Sequence, residues 1–282
     1  MGKFSGVLIA SDYDNTITYT EPSLKNGTPP PPVSPENRAA IEYFMSGGGV
    51  FSVATGRALP SFDRVRGSIP FNGPAILFNG AAVYDYGAGK YLRTAFLPPE
   101  AAANVRQVLD AFPSLAVEIY HDDNTIHAVR ANALSRRRLH LTHTPTEEVS
   151  SLSQVPQPFS KLVFPSEDTA VLDAVESFIA SQPWSRELSV MRSAEFLLEC
   201  TARGADKGGM TAFLTEYLSI SPEHLYCIGD HANDVSMLQR ARIPFAPANA
   251  IDVVKQVPGV HVLPHCTENA VAAMIAELDR LY

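Results

Sequence analysis

The first apolar run, Val7-Leu8-Ile9-Ala10-Ser11, with Asp12-Tyr13-Asp14-Asn15-Thr16 directly behind it, constrains the fold of this chain more than any other stretch. An apolar run this short, rich in branched residues and bounded by polar turn formers, reads as a strand buried on both faces. In open parallel α/β sheets, ligands bind at the C-terminal edge of such strands, and that edge here carries Asp12 and Asp14. Period-two alternation makes the two carboxylates neighbours on one side of the extended chain, with Tyr13 pointing elsewhere. Two anions this close repel, and a hard divalent cation with oxygen ligands relieves the repulsion. Taken alone, the same pair also fits a turn with two solvated Asp side chains.

At 282 residues the chain exceeds the usual single-domain size, so two domains and a sizeable core are expected. A proline-rich spacer through Pro29-Pro30-Pro31-Pro32 precedes Ser34-Pro35-Glu36, an N-cap and first turn whose helix carries Ile41, Phe44 and Met45 on its apolar face. Gly47-Gly48-Gly49 stops that helix. Val50 to Ala54 is a second buried strand with Thr55-Gly56-Arg57 at its end, and Pro74 to Phe78 a third, ending in Asn79-Gly80. Ala82 to Tyr86 and Tyr91 to Thr94 then suggest a hairpin. The section that follows has helices near 99–112 and 170–179 and strands at 116–120, 126–130, 161–164 and 189–191, an α+β pattern. From Phe196-Leu197-Leu198-Glu199-Cys200 the chain is expected to lead back to helix and buried-strand alternation. There Leu225 to Ile228 ends in Gly229-Asp230-His231-Ala232-Asn233-Asp234. The expectation is an α/β fold: a doubly wound, Rossmann-like parallel-sheet core made of residues 1–82 and 196–282, interrupted by an α+β insert over 83–195.

The formal net charge of −8 argues against a protein that wraps nucleic-acid backbone or is drawn to anionic membranes. No apolar stretch is long enough to span a bilayer and no secretion signal is visible, so a cytoplasmic protein is expected. Cys200, Cys227 and Cys266 have no metal-type spacing and read as small buried hydrophobes in a reducing compartment.

Asp12 and Asp14, Thr55 and Gly56, Lys207, and Asp230 with Asn233 and Asp234 each lie at a strand end or the start of the next helix. In a doubly wound sheet those positions converge on one crevice. Together they supply carboxylates for a cation, a hydroxyl and a backbone N–H for anionic oxygens, and a lysine for remaining negative charge, an inventory suited to phosphoryl transfer. On these residues the sequence resembles the haloacid dehalogenase-like superfamily, and within it the Cof-type phosphatases whose cap is inserted between the second and third motifs. Asp12 to Thr16 matches the first motif, Thr55-Gly56-Arg57 the second, Lys207 the third and Gly229 to Asp234 the fourth. Asn15 departs from the commonest glycine, but Asn tolerates turn conformations and an intact loop is expected.

The resemblance implies that Asp12 attacks phosphorus to form an aspartyl-phosphate and that Asp14 protonates the leaving oxygen, then activates water. Crowding by Asp12 is expected to raise a carboxylate pKa for that first proton transfer. Mg²⁺ would be held by Asp12, the Asp14 backbone carbonyl and Asp230. Asp234 would orient that shell or Lys207, and Thr55, Gly56, Lys207 and Asn233 would hold the phosphoryl oxygens. The implied substrate is a small phosphorylated metabolite, a sugar phosphate or phosphorylated cofactor, with the insert as a cap that selects it. A phosphotransferase or mutase on the same scaffold is the alternative. A non-enzymatic phospho-Asp signalling protein is a third reading, against which the Asp-x-Asp spacing and the large insert count. Elsewhere, His231 reads as surface, His121-Asp122-Asp123 as a polar turn, with a second metal site or a substrate contact as the alternatives, and Arg136-Arg137-Arg138 as a solvated helical face. Arg57 reads as an exposed arginine, with a substrate contact as the alternative, and Asn79-Gly80 as structural, phosphate-proximal or both.

Overall fold

In the computed structural model, which describes residues 2–26, 28–121 and 125–282, the first apolar run forms β1 (Leu8–Ser11), buried at every position. β2 (Val50–Val53) lies parallel beside it. Next come β3 (Ala75–Leu77), β4 (Ala82–Asp85) and β5 (Lys90–Thr94). The middle of the chain supplies β6 (Val117–Tyr120), β7 (Ile126–Val129), β8 (Thr146–Val149), β9 (Lys161–Pro165), β10 (Leu188–Ala194) and β11 (Leu197–Ala202). The last three are β12 (Leu225–Ile228), β13 (Ile243–Pro247) and β14 (His261–Leu263).

The core sheet runs β14-β13-β12-β1-β2 with every neighbouring pair parallel. Ser11 is in register with both Val53 and Ile228, so the three central strands end level. From β1 the chain moves outward to β2, and later fills the other side through β12, β13 and β14. The crevice at this change of direction is where such sheets bind ligands. Both faces of β1 are covered: Leu8 and Ala10 pack with Met210 and Leu214, and Ile9 with Ile41, Phe44, Met274 and Ile275. A strand serving two helical layers has no position for a solvated side chain, which explains the unbroken apolar run. Each large side chain buried this way contributes about 1.5–3 kcal/mol. Ser34 caps the helix Pro35–Ser46 by accepting from the Asn37 N–H, as expected.

The two ends of the insert differ from the sequence reading. β3 pairs antiparallel with β4, and β4 with β5, while Val83 of β4 and Leu92 of β5 pack into the cluster that holds Leu8, Ala10 and Ala54. A division at 82/83 therefore passes through β4. At the other end, Phe196 to Cys200 does not lead back to the parallel sheet. β11 sits between β10 and β9 in a six-stranded sheet of order β10-β11-β9-β6-β7-β8, antiparallel to both neighbours. Apolar periodicity identifies a strand, and long-range pairing chooses its sheet. Two helices, Glu21–Asn26 and Leu59–Arg66, lie in stretches where the sequence reading placed none.

One face of the six-stranded sheet carries Leu162, Phe164, Leu198 and Cys200, packed with Val105, Val108, Leu172 and Val175 of helices Ala101–Ala111 and Thr169–Ser181. Strand alternation sends Glu118, Tyr120, Lys161 and Glu199 to the opposite face. There Tyr120 meets Phe78 of the core edge-on, with ring centroids 6.1 Å apart. Among the described residues no helix is long and apolar enough to cross a membrane, and all three cysteines are free and buried.

Candidate active site

Asp12 is the first residue beyond β1, and its N–H donates to the Ile228 carbonyl at 3.0 Å, tying the loop to β12 from its first residue. Its Oδ1 accepts a 2.6 Å hydrogen bond from Lys207 Nζ, which also donates to Asp234 Oδ1 at 2.6 Å. Lys207 opens the helix Lys207–Tyr217, capped by the Asp206 side chain accepting from the Gly209 N–H. A lysine at the positive end of a helix dipole is unfavourable alone. Burial also works to discharge it, but Asp12 and Asp234 outweigh both effects and hold its pKa above the ordinary lysine value.

Asp234 serves Lys207 through one oxygen and the preceding loop through the other: Oδ2 accepts the N–H groups of Asp230 and His231, each at 3.0 Å. A Cβ on Gly229 would lie 2.4 Å from the Asp234 carboxyl carbon, so the loop closes this tightly only with glycine there. Asp230 is buried alongside, its Oδ1 accepting from Thr16 Oγ1 at 3.4 Å. Asp12, Asp230 and Asp234 each offer an oxygen within 4.8 Å of the others. Three carboxylates against one lysine leave an excess of two negative charges when all are ionised. Burial, reinforced by the neighbouring carboxylates and only partly offset by Lys207, pushes Asp12 up to about 7. Burial with the charges of Asp12 and Asp234 likewise drives Asp230 well above the usual carboxylate range. Asp12 Oδ2 is buried with no hydrogen-bond partner among the described residues. A surplus of buried negative charge around an orphaned acceptor is what a hard divalent cation relieves, and the donor set fits one.

Asp14 stands apart from that cluster. Arg57 grips it with a two-pronged fork, Nε to Oδ2 at 2.9 Å and Nη2 to Oδ1 at 2.7 Å, while its guanidinium lies over the Tyr13 ring at 5.2 Å. Burial pushes Asp14 up, but the Arg57 charge and hydrogen bonds prevail and leave its pKa below the ordinary value. Of the two carboxylates of the first motif, it is Asp12 that is raised. Arg57, expected to be an exposed arginine or a substrate contact, is the largely buried partner of Asp14.

The second and fourth motifs meet through Asn79. Thr55 is buried, its Oγ1 accepting the Arg57 N–H at 3.1 Å and its carbonyl accepting the Asn79 N–H at 3.0 Å. Asn79 has φ of 58°, a left-handed conformation that Asn tolerates better than most residues. Its amide lies over Gly56, where a Cβ would come within 2.9 Å of it. Asn79 Oδ1 accepts from Asn233 Nδ2 at 2.9 Å, and Asn79 Nδ2 donates to Glu199 Oε2 at 2.8 Å. Lys161 Nζ pairs with the same Glu199 oxygen at 2.9 Å and donates to the Gly56 carbonyl at 3.1 Å. Asn15, with φ of 58°, keeps the first loop intact by accepting the N–H groups of Thr20 and Glu21.

His231 is not a surface residue: it is half-buried, its Nδ1 lies 3.1 Å from the Arg192 carbonyl, and burial lowers its pKa. The three arginines divide. Arg136 and Arg137 are exposed and paired with Glu148 and Glu167, whereas Arg138 is buried against Glu118 and donates to the Tyr120 hydroxyl at 3.0 Å. A helix turns successive residues by about 100°, so the third faces the sheet. His121 is buried with its ring 4.9 Å from that of His127, and Asp122 and Asp123 lie outside the described residues. Lys161, Glu199 and Glu118 were missed from sequence. Their signal was present as a lone charge in each of three apolar strands, Lys161-Leu162-Val163-Phe164, Leu197-Leu198-Glu199-Cys200 and Val117-Glu118-Ile119.

Residues 9–275 match the family model of haloacid dehalogenase-like hydrolases. Among curated relatives, the 5-amino-6-(5-phospho-D-ribitylamino)uracil phosphatase YwtE of Bacillus subtilis is 25% identical, the alignment covering 96% of this chain and 97% of that protein. The HMP-PP phosphatase of Serratia proteamaculans is 26% identical over 94% and 92%. A solved haloacid dehalogenase-like hydrolase from B. subtilis shares the fold with a TM-score of 0.81, at 22% identity and coverage of 96% and 99%. The chain belongs to the haloacid dehalogenase-like hydrolase family. Its curated relatives in that family carry phosphatase names.

Proposed function

We propose that the protein is a Mg²⁺-dependent phosphomonoester hydrolase that works through an aspartyl-phosphate on Asp12. The observation that carries the reading is Asp12 itself: one oxygen is fixed by Lys207 at 2.6 Å and the other is buried and unpartnered beside Asp230 and Asp234. An Asp12 oxygen attacks phosphorus, the bond to the leaving oxygen breaks, and Asp14 delivers a proton to that oxygen. Asp14 then takes a proton from water as it attacks phosphorus, which frees inorganic phosphate and regenerates the Asp12 carboxylate. Since Arg57 holds Asp14 ionised, the acid step requires the Asp14 side chain to exchange Arg57 for the substrate. Lys207, Thr55, the Gly56 N–H and the Asn233 amide N–H that is not given to Asn79 hold phosphoryl oxygens, and Asp234 keeps Lys207 and the loop at Asp230 in place. Asp12, the Asp14 carbonyl and Asp230 would hold Mg²⁺, which when bound supplies positive charge against the phosphoryl group.

The substrate class proposed is a small phosphorylated metabolite, a sugar phosphate or phosphorylated cofactor, in line with the names of the two curated relatives. Strand pairing supports a core of residues 2–96 and 203–282 and a cap of 97–202 that selects the substrate. The free, buried thiols suit a reducing compartment, and the cytoplasm is the proposed setting. The test is phosphate release from p-nitrophenyl phosphate and a panel of sugar and cofactor phosphates, with Mg²⁺ or with EDTA, alongside Asp12→Asn. Metal-dependent release is expected, falling by on the order of 10⁴ or more in the variant. Release that survives EDTA, or an active Asp12→Asn protein, sinks the mechanism.

A further inference from the structure

Lys161 and Glu199 sit on β9 and β11 of the cap, nearly inaccessible to water, yet each reaches across to the core. Lys161 holds the carbonyl of Gly56 in the second motif. Glu199 holds the amide of Asn79, and Asn79 holds Asn233 of the fourth motif. We propose that this ion pair is a positioning device: through it the cap sets the phosphate-side loops of the core, and in particular the way round that the Asn233 amide stands. The inference rests on the phosphatase reading and concerns residues that do not themselves touch the phosphoryl group.

The polarity of the relay follows from chemistry. An ionised carboxylate only accepts hydrogen bonds, so Glu199 must face the NH₂ of Asn79. Glu199 is ionised: burial pushes its pKa up, but Lys161, Ser193 and Asn79 together bring it below the ordinary value. With its NH₂ committed to Glu199, Asn79 turns its oxygen to Asn233, which answers with its own NH₂. Asn233 Oδ1 is thereby fixed on the far side of that amide, buried and with no protein partner among the described residues. Without the carboxylate, each amide has two near-isosteric orientations and the site samples both. The Lys161 arm acts on the same place, since the Asn79 amide rests against Gly56. If the cap lifts, both arms detach, so the loops are held only when the cap is seated.

Substrate turnover and amide orientation together test this. The double variant Lys161→Met/Glu199→Met replaces a buried ion pair by apolar side chains of similar size, an exchange that is often neutral or stabilising. It is expected to stay folded, melting somewhat below the parent because Asn79, Ser193 and the Gly56 carbonyl lose buried partners, and to lose at least tenfold in kcat on p-nitrophenyl phosphate with Mg²⁺. Glu199→Gln, whose carbonyl can still accept from Lys161 and Asn79, is expected to recover most of the turnover lost in Glu199→Met, although both leave Lys161 without a counter-charge. Side-chain amide NMR signals of Asn79 and Asn233, assigned through Asn79→Gly and Asn233→Asp, should shift or broaden in the double variant and stay in place in Glu199→Gln. Parental kcat in the double variant, or equal kcat in Glu199→Gln and Glu199→Met, would reduce the pair to packing. Should the parent release no phosphate, the phosphatase reading fails by itself. The amide signals still decide the relay, and unchanged signals in the double variant overturn it.

Discussion

Asp12 is expected to make the metal-free protein less stable than a variant that lacks its charge. In the folded chain its pKa is pushed from 3.8 up to about 7, so between those values the folded state binds a proton that the unfolded chain has released. Stability from this group is therefore fully present below pH 4 and is lost as pH rises through 7. A shift of about three units corresponds to about 4 kcal/mol at pH 7.5 or above. Asn in place of Asp12 carries no charge to desolvate and can still accept from Lys207 through its carbonyl. In EDTA, Asp12→Asn should therefore melt above the parent by as much as roughly 10 °C at pH 7.5, with the gap shrinking towards zero near pH 4. Thermal melts by circular dichroism from pH 4 to 8 measure it, and added Mg²⁺ should raise the parent more than the variant. A variant that melts below the parent at pH 7.5, or a gap that does not grow with pH, would refute the claim that the cluster carries surplus negative charge.

Three further outcomes follow from the geometry. Arg57→Ala removes the fork that holds Asp14 below its ordinary pKa, so the alkaline limb of the pH profile of kcat/KM, where Asp14 loses the proton it must deliver, should move to higher pH. An unmoved limb would show that Asp14 does not govern it. Arg138→Met leaves Glu118 buried without its counter-charge and should cost about 3–5 kcal/mol in urea unfolding, whereas Arg136→Ala, at an exposed pair, should stay within about 1 kcal/mol. Asp234→Ala strips Lys207 of one partner and the Asp230 and His231 N–H groups of their acceptor. It should destabilise by several kcal/mol, on the order of 3 or more, and lower Mg²⁺ affinity measured by calorimetry.

Local physics made much of this molecule legible from sequence. A short apolar run bounded by turn formers has few stable places other than a buried strand, so β1, β2 and β12 and the edge residues behind them could be read directly. Ser34-Pro35 could be read as a helix start because capping is satisfied within one turn. Convergence of Asp12, Lys207, Asp230 and Asp234 followed from one topological rule applied to three separate stretches.

What the sequence alone determined, then, was what each segment wants next to it: apolar runs require cover, and clustered carboxylates require positive charge. Only the tertiary structure decided which partner each of them found. Arg57 lies 43 residues from Asp14, and Lys161 lies 105 from Gly56, distances at which periodicity carries no information. The run at 196–200 joined the cap sheet because β9 and β10 offered it antiparallel partners. Three adjacent arginines divided into two solvated residues and one buried one because the helix turned only Arg138 towards Glu118. Pairing depends on where other segments end up, and burial then multiplies the strength of whatever pairs have formed.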